Sequence, residues 1–157
     1  MRPETVAYKR SRFSTRLPVH YLYTPSHYWL QESEPGVWRV GFTRFASRML
    51  GEIVEFDFNV KSGTRIEVGQ VVGWTEGFKA MSDIYSAVSG EFLGANPALA
   101  SAITLIDTQP YGEGWLYQVR GLPDPGSTGV EGYIAVLDAT IDTMLRGRYD
   151  QGETQDA

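Results

Sequence analysis

Alternating apolar and polar residues, punctuated by glycine, run through the middle of this chain and constrain its fold more than any other feature. The alternation is visible in Trp38–Phe42, Glu52–Phe58, Val60–Gly73 and Val88–Gly94. A period of two sends successive side chains to opposite faces of a β-strand. Because the 17 glycines fall near the expected turns, many short strands are favoured over helical repeats. The pattern predicts a small barrel or sandwich that is all-β at its centre.

Short helical segments interrupt this pattern. Thr43 is placed to cap a helix over Arg44–Leu50, and Gly51 follows as its end signal. A second helical turn is expected at Pro97–Ala100, directly after Asn96.

The C-terminal part of the chain changes character after a turn-rich linker at Leu122–Gly129. Apolar residues then recur at helical spacing: Ile134, Leu137, Ile141, Met144 and Leu145. They predict an amphipathic helix that packs against the barrel and ends near Arg146. A frayed polar tail is expected after Tyr149.

The residue types present exclude several kinds of site. The chain has no cysteine, which removes thiol catalysis, disulfides and thiolate metal sites. His20 and His27 lie close together but lack a third ligand at a suitable spacing. A zinc site is therefore not expected, and the metal assignment is none. At 157 residues, the chain predicts one domain with an appended terminal segment.

Charge is distributed unevenly along the chain. Residues 1–17 carry a net charge of +4, whereas the remainder carries −9. An acidic body argues against nucleic acid as a partner. For the basic segment, a solvated and flexible terminus is favoured over contact with an acidic partner or a polyanion. No apolar run reaches membrane-spanning length and no secretory h-region is present, so a cytoplasmic protein without membrane attachment is expected.

Lys79 is the candidate functional residue. It is the only cation in Thr75–Asp83 and has strand-like sequence on both sides, with no other cation within a dozen residues. A strand-turn-strand unit holds such a side chain out into solvent on a rigid support. That presentation suits an enzyme that must modify one amine among many.

Several sequence blocks occur in a fixed order around this lysine. They are Tyr23–Trp29; Val40–Thr43 with Ala46 and Leu50–Val54; Glu76–Asp83 with Tyr85, Ser86 and Val88–Glu91; Asn96 and Leu99; and Pro110–Leu116. In order and spacing, these blocks resemble the H-protein family of the glycine cleavage system, over roughly Leu22 to Val119. Ordered blocks are far more specific than a single motif.

The resemblance implies a mainly β fold, the barrel-sandwich hybrid of lipoyl domains, with short helices and a C-terminal amphipathic helix. It divides the chain into a basic N-terminal extension (1–21), a lipoyl or H-protein-like domain (22–121), and a linker with a C-terminal helix packed on that domain (122–157). It also implies a lipoyl group in amide linkage on Lys79, at the tip of a β-hairpin.

The implied function is that of a carrier and not of an enzyme. In the family, the lipoyl arm takes an aminomethyl group from glycine decarboxylase (P protein) to a tetrahydrofolate-dependent aminomethyltransferase (T protein). Dihydrolipoyl dehydrogenase (L protein) then reoxidises the arm, and a lipoate ligase or lipoyl transferase installs it. A chain without cysteine or an acid–base cluster has no reactive centre of its own, which agrees with this role.

The residues beside Lys79 distinguish between carrier types. A biotinyl lysine usually lies between two methionines, whereas Lys79 lies between Phe78 and Ala80. Lipoate is therefore favoured over biotin. Two readings remain open for Glu76 and Asp83, which either help the ligase recognise the hairpin or are simply solvated charges.

Some residues depart from the family pattern. The family has a glutamate after the histidine of its opening motif, where it holds the amine of the loaded arm in a surface cleft. Here His27 is followed by Tyr28, which lacks a carboxylate to pair with an ammonium group. Arg44 replaces a usual aspartate, and Phe78 is larger than the usual valine.

These departures leave alternatives to glycine cleavage open. One is an H-protein-like lipoate carrier that serves another pathway, such as sulfur oxidation or a relay of lipoyl groups. A weaker alternative is an unmodified scaffold. The resemblance implies that His27 and Tyr28 line the cleft, and Tyr28 is expected to weaken retention of the aminomethyl group because it lacks a carboxylate.

Overall fold

The computed structural model describes residues 4–156, with side chains described through Gly147. The strands are β1 (Thr5–Arg10), β2 (Phe13–Pro18), β3 (Leu22–Tyr23), β4 (Tyr28–Glu34), β5 (Val37–Phe42), β6 (Ile53–Phe58), β7 (Arg65–Ile66), β8 (Val71–Gly77), β9 (Met81–Tyr85), β10 (Val88–Ala95) and β11 (Tyr117–Pro123). The helices are α1 (Arg44–Leu50), α2 (Leu105–Thr108) and α3 (Val130–Asp156), with a 3-10 helix at Pro97–Ala100.

Two antiparallel sheets enclose the first core. The larger has the strand order β3-β4-β5-β11-β10-β7, and the smaller has the order β6-β8-β9. Fully buried side chains from the large sheet, such as Leu30 and Val119, join Ile53, Val72 and Ile84 from the small one. Because period-two patterning directs one face of each strand inward, two facing sheets are the outcome. The predicted barrel-sandwich arrangement is confirmed.

A second core lies on the other face of the large sheet. Along β4, Tyr28 and Leu30 belong to the first core, whereas Trp29 between them belongs to the second. The hairpin β1–β2 and helix α3 cover this second face. Its buried members are Tyr8, Phe13, Leu17, Tyr21, Tyr23, Trp29, Phe45, Trp115, Tyr133, Leu137 and Ile141.

The N-terminal segment is therefore not the solvated, flexible terminus that the charge pattern predicts; residues 1–3 lie outside the described residues. Arg10 makes a bidentate contact with Asp142, with both N–O distances 2.9 Å, and its third nitrogen lies 3.1 Å from Asp138. Tyr8 donates a hydrogen bond of 2.7 Å to Asp138. Apolar burial of the hairpin, together with these contacts to α3, gives the basic segment partners inside the molecule.

Helix α1 begins and ends where its sequence signals predict, whereas helix α3 extends beyond its predicted end. The side chain of Thr43 accepts a hydrogen bond from the amide of Ala46, and Gly51 ends α1 at φ +79°. Helix α3 continues past Arg146 to Asp156, so the prediction of a frayed tail is wrong. The residues after Val130 contain no proline that would interrupt the helix.

Candidate functional site

Lys79 lies at the tip of the hairpin formed by β8 and β9. The turn between these strands consists of residues 78–80, and it is closed by a hydrogen bond of 2.9 Å from the amide of Gly77 to the carbonyl of Ala80. The Lys79 side chain is exposed. The strand-turn-strand presentation predicted from the sequence is confirmed.

The turn is fixed to the segment that follows α1. The amide of Phe78 donates to the carbonyl of Glu52 at 3.0 Å, and those of Lys79 and Ala80 donate to the carbonyl of Leu50 at 2.9 and 3.2 Å. All three amides of the turn are thus held by neighbouring backbone. The lysine is mounted on a rigid support and not on a free loop.

Two glycines permit this close approach. A Cβ atom at Gly51, whose φ is +79°, would lie 2.9 Å from the Lys79 nitrogen. A Cβ atom at Gly77 would lie 2.2 Å from the carbonyl oxygen of Leu50. Any side chain at either position would push the lysine turn away from α1.

The amine of Lys79 makes few contacts with other groups of the protein. Its Nζ donates one long hydrogen bond of 3.4 Å to the carbonyl of Arg48, in the last turn of α1. No ion pair to Lys79 is found among the residues whose side chains are described. Replacing the ammonium with an amide would therefore break no buried contact.

The hairpin presents both apolar and acidic side chains near the lysine. Phe78 and Met81 are 75% and 67% exposed. Trp74 pairs with Asp83 and Glu76 pairs with Met81, which brings Glu76 and Asp83 to the same face of the hairpin. Glu76 is half-buried and Asp83 is exposed.

Tyr28 does not line a surface cleft. Its side chain is 4% exposed, its ring stacks on Phe42 with 5.6 Å between centroids, and its hydroxyl accepts a 3.0 Å hydrogen bond from the amide of Tyr85. Burial raises the pKa of Tyr28 to about 12, so the phenol stays neutral. The cleft position expected for this residue is wrong, because its face of β4 points into the first core.

His27 belongs to the opposite face. Its ring lies 4.6 Å from that of Phe45, and its Nδ1 lies 2.8 Å from the hydroxyl of Tyr133. Burial lowers the pKa of His27 to about 4, which keeps the imidazole neutral near pH 7. His27 and Tyr28 therefore do not form one site.

Sequence reasoning missed a groove that begins at the lysine. It has a volume of about 330 Å³ and is formed by the turn between β1 and β2, by α1, by α3 and by Lys79 itself. Its lining residues are Arg10, Ser11, Arg12, Phe13, Phe45, Arg48, Met49, Lys79, Ile141, Met144 and Leu145. We call it the hairpin–helix groove. No local pattern could indicate it, because its walls are far apart along the chain.

Two further properties concern the described part of the chain. No group of three or more His, Asp or Glu side chains there is arranged to hold a metal ion. None of its helices has the length and apolarity required to cross a membrane.

Known proteins resemble this chain in sequence and in fold. The family described as "Glycine cleavage H-protein" matches residues 21–126. The glycine cleavage system H protein of Corynebacterium jeikeium (strain K411) is 42% identical over 109 residues, which cover 68% of this chain and 85% of that protein. The corresponding protein of Edwardsiella ictaluri (strain 93-146) is 38% identical over 128 residues, covering 79% and 98%. The crystal structure of a glycine cleavage system H protein from Mycobacterium marinum superimposes with a TM-score of 0.68 at 29% identity, covering 76% of this chain and 97% of that one.

Proposed function

Because the chain belongs to the glycine cleavage H-protein family, we propose that it is the carrier of a glycine cleavage system, with lipoate attached to Lys79. The carrier passes an aminomethyl group from glycine decarboxylase to the aminomethyltransferase, and dihydrolipoyl dehydrogenase reoxidises it. Lipoate in amide linkage would supply the redox and group-transfer chemistry, while the chain supplies position. The proposed compartment is the cytoplasm.

The observation that supports this proposal is that the backbone of the Lys79 turn is held in a fixed position. Its amine is exposed, while the backbone of its turn is held by three hydrogen bonds to residues 50 and 52. A lipoate ligase or lipoyl transferase would deliver an acyl group bound to an activating group. The neutral Nζ would attack the acyl carbon, the bond to the activating group would break as that group leaves, and the nitrogen would lose a proton to complete the amide. These residues fit the group, because the acylated side chain would leave the turn unchanged.

Glu76 and Asp83 are proposed to help the modifying enzyme recognise the hairpin. Their position on one face, close to the lysine turn, supports this role. Phe78 adds an exposed apolar surface beside the amine. Together they offer a patch of mixed chemistry that distinguishes Lys79 from an ordinary surface lysine.

The relatives favour glycine cleavage over a carrier for sulfur oxidation or lipoyl relay. The similar proteins named above are all glycine cleavage system H proteins. The departure at Tyr28 that kept the alternative open concerns a side chain inside the first core. It therefore gives no reason to prefer another cargo.

Mass spectrometry after lipoylation tests the attachment site. The chain has only three lysines, Lys9, Lys61 and Lys79, so each can be assessed. Incubation with a lipoate ligase, ATP and lipoate should raise the intact mass of the wild type and of Lys61→Arg by one lipoyl group. Lys79→Arg, which keeps the positive charge, should gain nothing. An unmodified wild type, beside a control carrier that is modified, would overturn the attachment.

The pathway is tested separately with the lipoylated chain. Purified glycine decarboxylase should exchange labelled bicarbonate into glycine when this chain is added, and should not do so with Lys79→Arg. A lipoylated chain that fails, beside a working H protein, would leave the arm intact and reject glycine cleavage as its pathway.

A further inference from the structure

We propose that two copies of this chain associate through the surface around Lys79, and that carboxylates of each copy pair with arginines of the other. The surface consists of the outer face of the small sheet (β6, β8 and β9), the lysine turn (residues 78–80) and the rim of the hairpin–helix groove. We call it the lysine surface. Its residues are present before any modification, so the inference goes beyond the proposed function and does not depend on it.

Exposed apolar side chains are concentrated on the lysine surface. Eight large apolar residues are exposed in the part of the chain whose side chains are described, and of these only Leu122 lies elsewhere. The other seven are Met49 and Leu145 at the groove, Phe78 at the turn, and Val54, Val71, Met81 and Tyr85 on the small sheet. Because soluble monomers rarely leave such a concentration of apolar surface in water, it indicates an interaction site.

The outer face of the small sheet is acidic. Its strands contain Glu55, Asp57, Glu76 and Asp83, but neither lysine nor arginine. Glu55 lies directly opposite Glu76, and Trp74 lies between Asp57 and Asp83 on the neighbouring strands, so the four carboxylates share one face. Like charges in opposite positions destabilise a sheet, and none of the four forms an ion pair with a side chain that the structure describes. This face therefore suits a partner that brings positive charge.

Two arginines provide positive charge on the α1 side of the lysine turn. Arg12, between β1 and β2, and Arg48, in α1, are exposed and line the groove together with Lys79. The carbonyl of Arg48 accepts the long hydrogen bond from Lys79, which places this arginine beside the turn. Among the described side chains neither arginine has an ion-pair partner, whereas Arg10 is paired with two acids of α3. The lysine turn thus lies between an acidic face and a basic rim.

This arrangement makes the lysine surface complementary to itself. A two-fold axis brings identical patches together, so each group meets the group on the other side of the axis. With the axis at the exposed Phe78, the acidic face of each copy meets the basic rim of the other, and the contact is made twice. A head-to-tail contact makes it only once and leaves one face and one rim unpaired. Burial of the apolar side chains supplies affinity, and the charges fix the orientation.

Sedimentation velocity of the unmodified chain tests the association. The wild type should show a monomer–dimer equilibrium at low salt, and its dissociation constant should rise with salt because exposed charges are screened. Two double variants alter the charges: Glu55→Lys with Asp57→Lys, and Arg12→Glu with Arg48→Glu. Each should raise the dissociation constant by at least roughly tenfold, because the first loses the attraction and the second replaces it with repulsion.

Mixing the two double variants should restore association. The rim of the first variant and the acidic face of the second are both unchanged, so one wild-type contact remains in a mixed dimer. The mixture should therefore form heterodimers that are tighter than the dimers of either variant alone.

Matched controls make the same changes of net charge at exposed positions outside the lysine surface. They are Glu34→Lys with Glu91→Lys, and Lys9→Glu with Arg16→Glu, and both should dimerise like wild type. A wild type that stays monomeric at low salt, even at millimolar concentration, would overturn the proposal. So would a dimer that the charge variants do not weaken, or a mixture that forms no heterodimer.

A second measurement locates the interface. A brief pulse of an N-hydroxysuccinimide ester acetylates exposed lysines, as the amine displaces N-hydroxysuccinimide and loses a proton. Because the dimer encloses Lys79, its acetylation relative to that of the exposed Lys61 should fall as the chain concentration rises. Arg12→Glu with Arg48→Glu should remove this dependence. A ratio that stays constant in the wild type would overturn the proposal, whereas failed lipoylation would reject only the proposed function.

Discussion

At the scale of single residues, His27 combines an unusual backbone with a shielded ring. Its φ is +73°, and its ring packs between Phe45 and Tyr133 in the second core. Burial lowers its pKa to about 4, whereas an unfolded histidine titrates near 6.5. Between these two values the unfolded chain binds more protons, so stability falls as the pH falls from about 6.5 to 4.

Replacing this histidine should remove that part of the pH dependence. Asparagine tolerates positive φ, so His27→Asn keeps the backbone and loses the titration. The wild type should lose about 2 kcal/mol more than His27→Asn between pH 7.5 and 4.5, measured by urea unfolding. His20→Asn, at the other histidine, whose side chain is 81% exposed, is the control and should behave like wild type. An equal loss in wild type and His27→Asn would show that the ring does not resist protonation.

Substitutions at two glycines separate the effect of positive φ on stability from the effect of the position of the Lys79 turn on lipoylation. Gly51 and Gly63 have φ values of +79° and +92°, but only Gly51 lies against Lys79, and Gly63 faces open space. Gly63→Ala should lose about 1 kcal/mol in unfolding free energy, because alanine resists positive φ. Gly51→Ala should lose more than Gly63→Ala, because its Cβ would also lie 2.9 Å from the backbone nitrogen of Lys79.

Only Gly51→Ala should also slow lipoylation, by roughly tenfold, because small displacements of a reacting group are costly. The check is the initial rate of mass gain with a fixed amount of ligase. Equal rates for the two variants would mean that the position of the turn does not limit the modification.

At the scale of elements, the hairpin β1–β2 depends on its surroundings for its order. A two-stranded hairpin alone is marginally stable in water. Here Leu17 is fully buried, and Phe13 and Tyr8 are nearly so. The hairpin is therefore a structural part of the second core, which its basic composition does not suggest.

Truncating the most buried residue of the hairpin β1–β2 tests whether the hairpin contributes to the stability of the second core. Leu17→Ala should lower the free energy of unfolding by about 3 kcal/mol, the usual cost of a leucine cavity in a core. Leu122→Ala, at a leucine that is 76% exposed, should change it by less than about 0.5 kcal/mol. Urea unfolding of both variants gives the comparison. A Leu17→Ala protein as stable as wild type would mean that the hairpin detaches without cost.

Local signals explain which elements the sequence predicts. Helix α1 is predictable because its capping threonine and terminal glycine are adjacent to it. The lysine hairpin is predictable because two strands flank the turn closely. The ordered packing of the hairpin β1–β2 is not predictable, because the acids that pair with Arg10 lie more than a hundred residues away. The groove depends on the same distant contacts, so the sequence does not predict it either.

At the scale of the whole molecule, one sheet serves two cores. The run Tyr28, Trp29, Leu30 carries no polar residue, which is typical of a strand buried on both faces. Trp115 and Leu116 repeat this arrangement, with the tryptophan in the second core and the leucine in the first. The resemblance to a family predicted a cleft at Tyr28, but the alternation along β4 decides which face the side chain occupies.

The pairing of the hairpin with α3 also has a consequence for biosynthesis. Tyr8 and Asp138, which share a hydrogen bond, are 130 positions apart. During translation, the hairpin leaves the ribosome first and must wait on the order of ten seconds for the helix that covers it. In that interval Phe13 and Leu17 are exposed to chaperones and to other nascent chains. The segments that enclose the groove in the finished protein are thus the last to become protected.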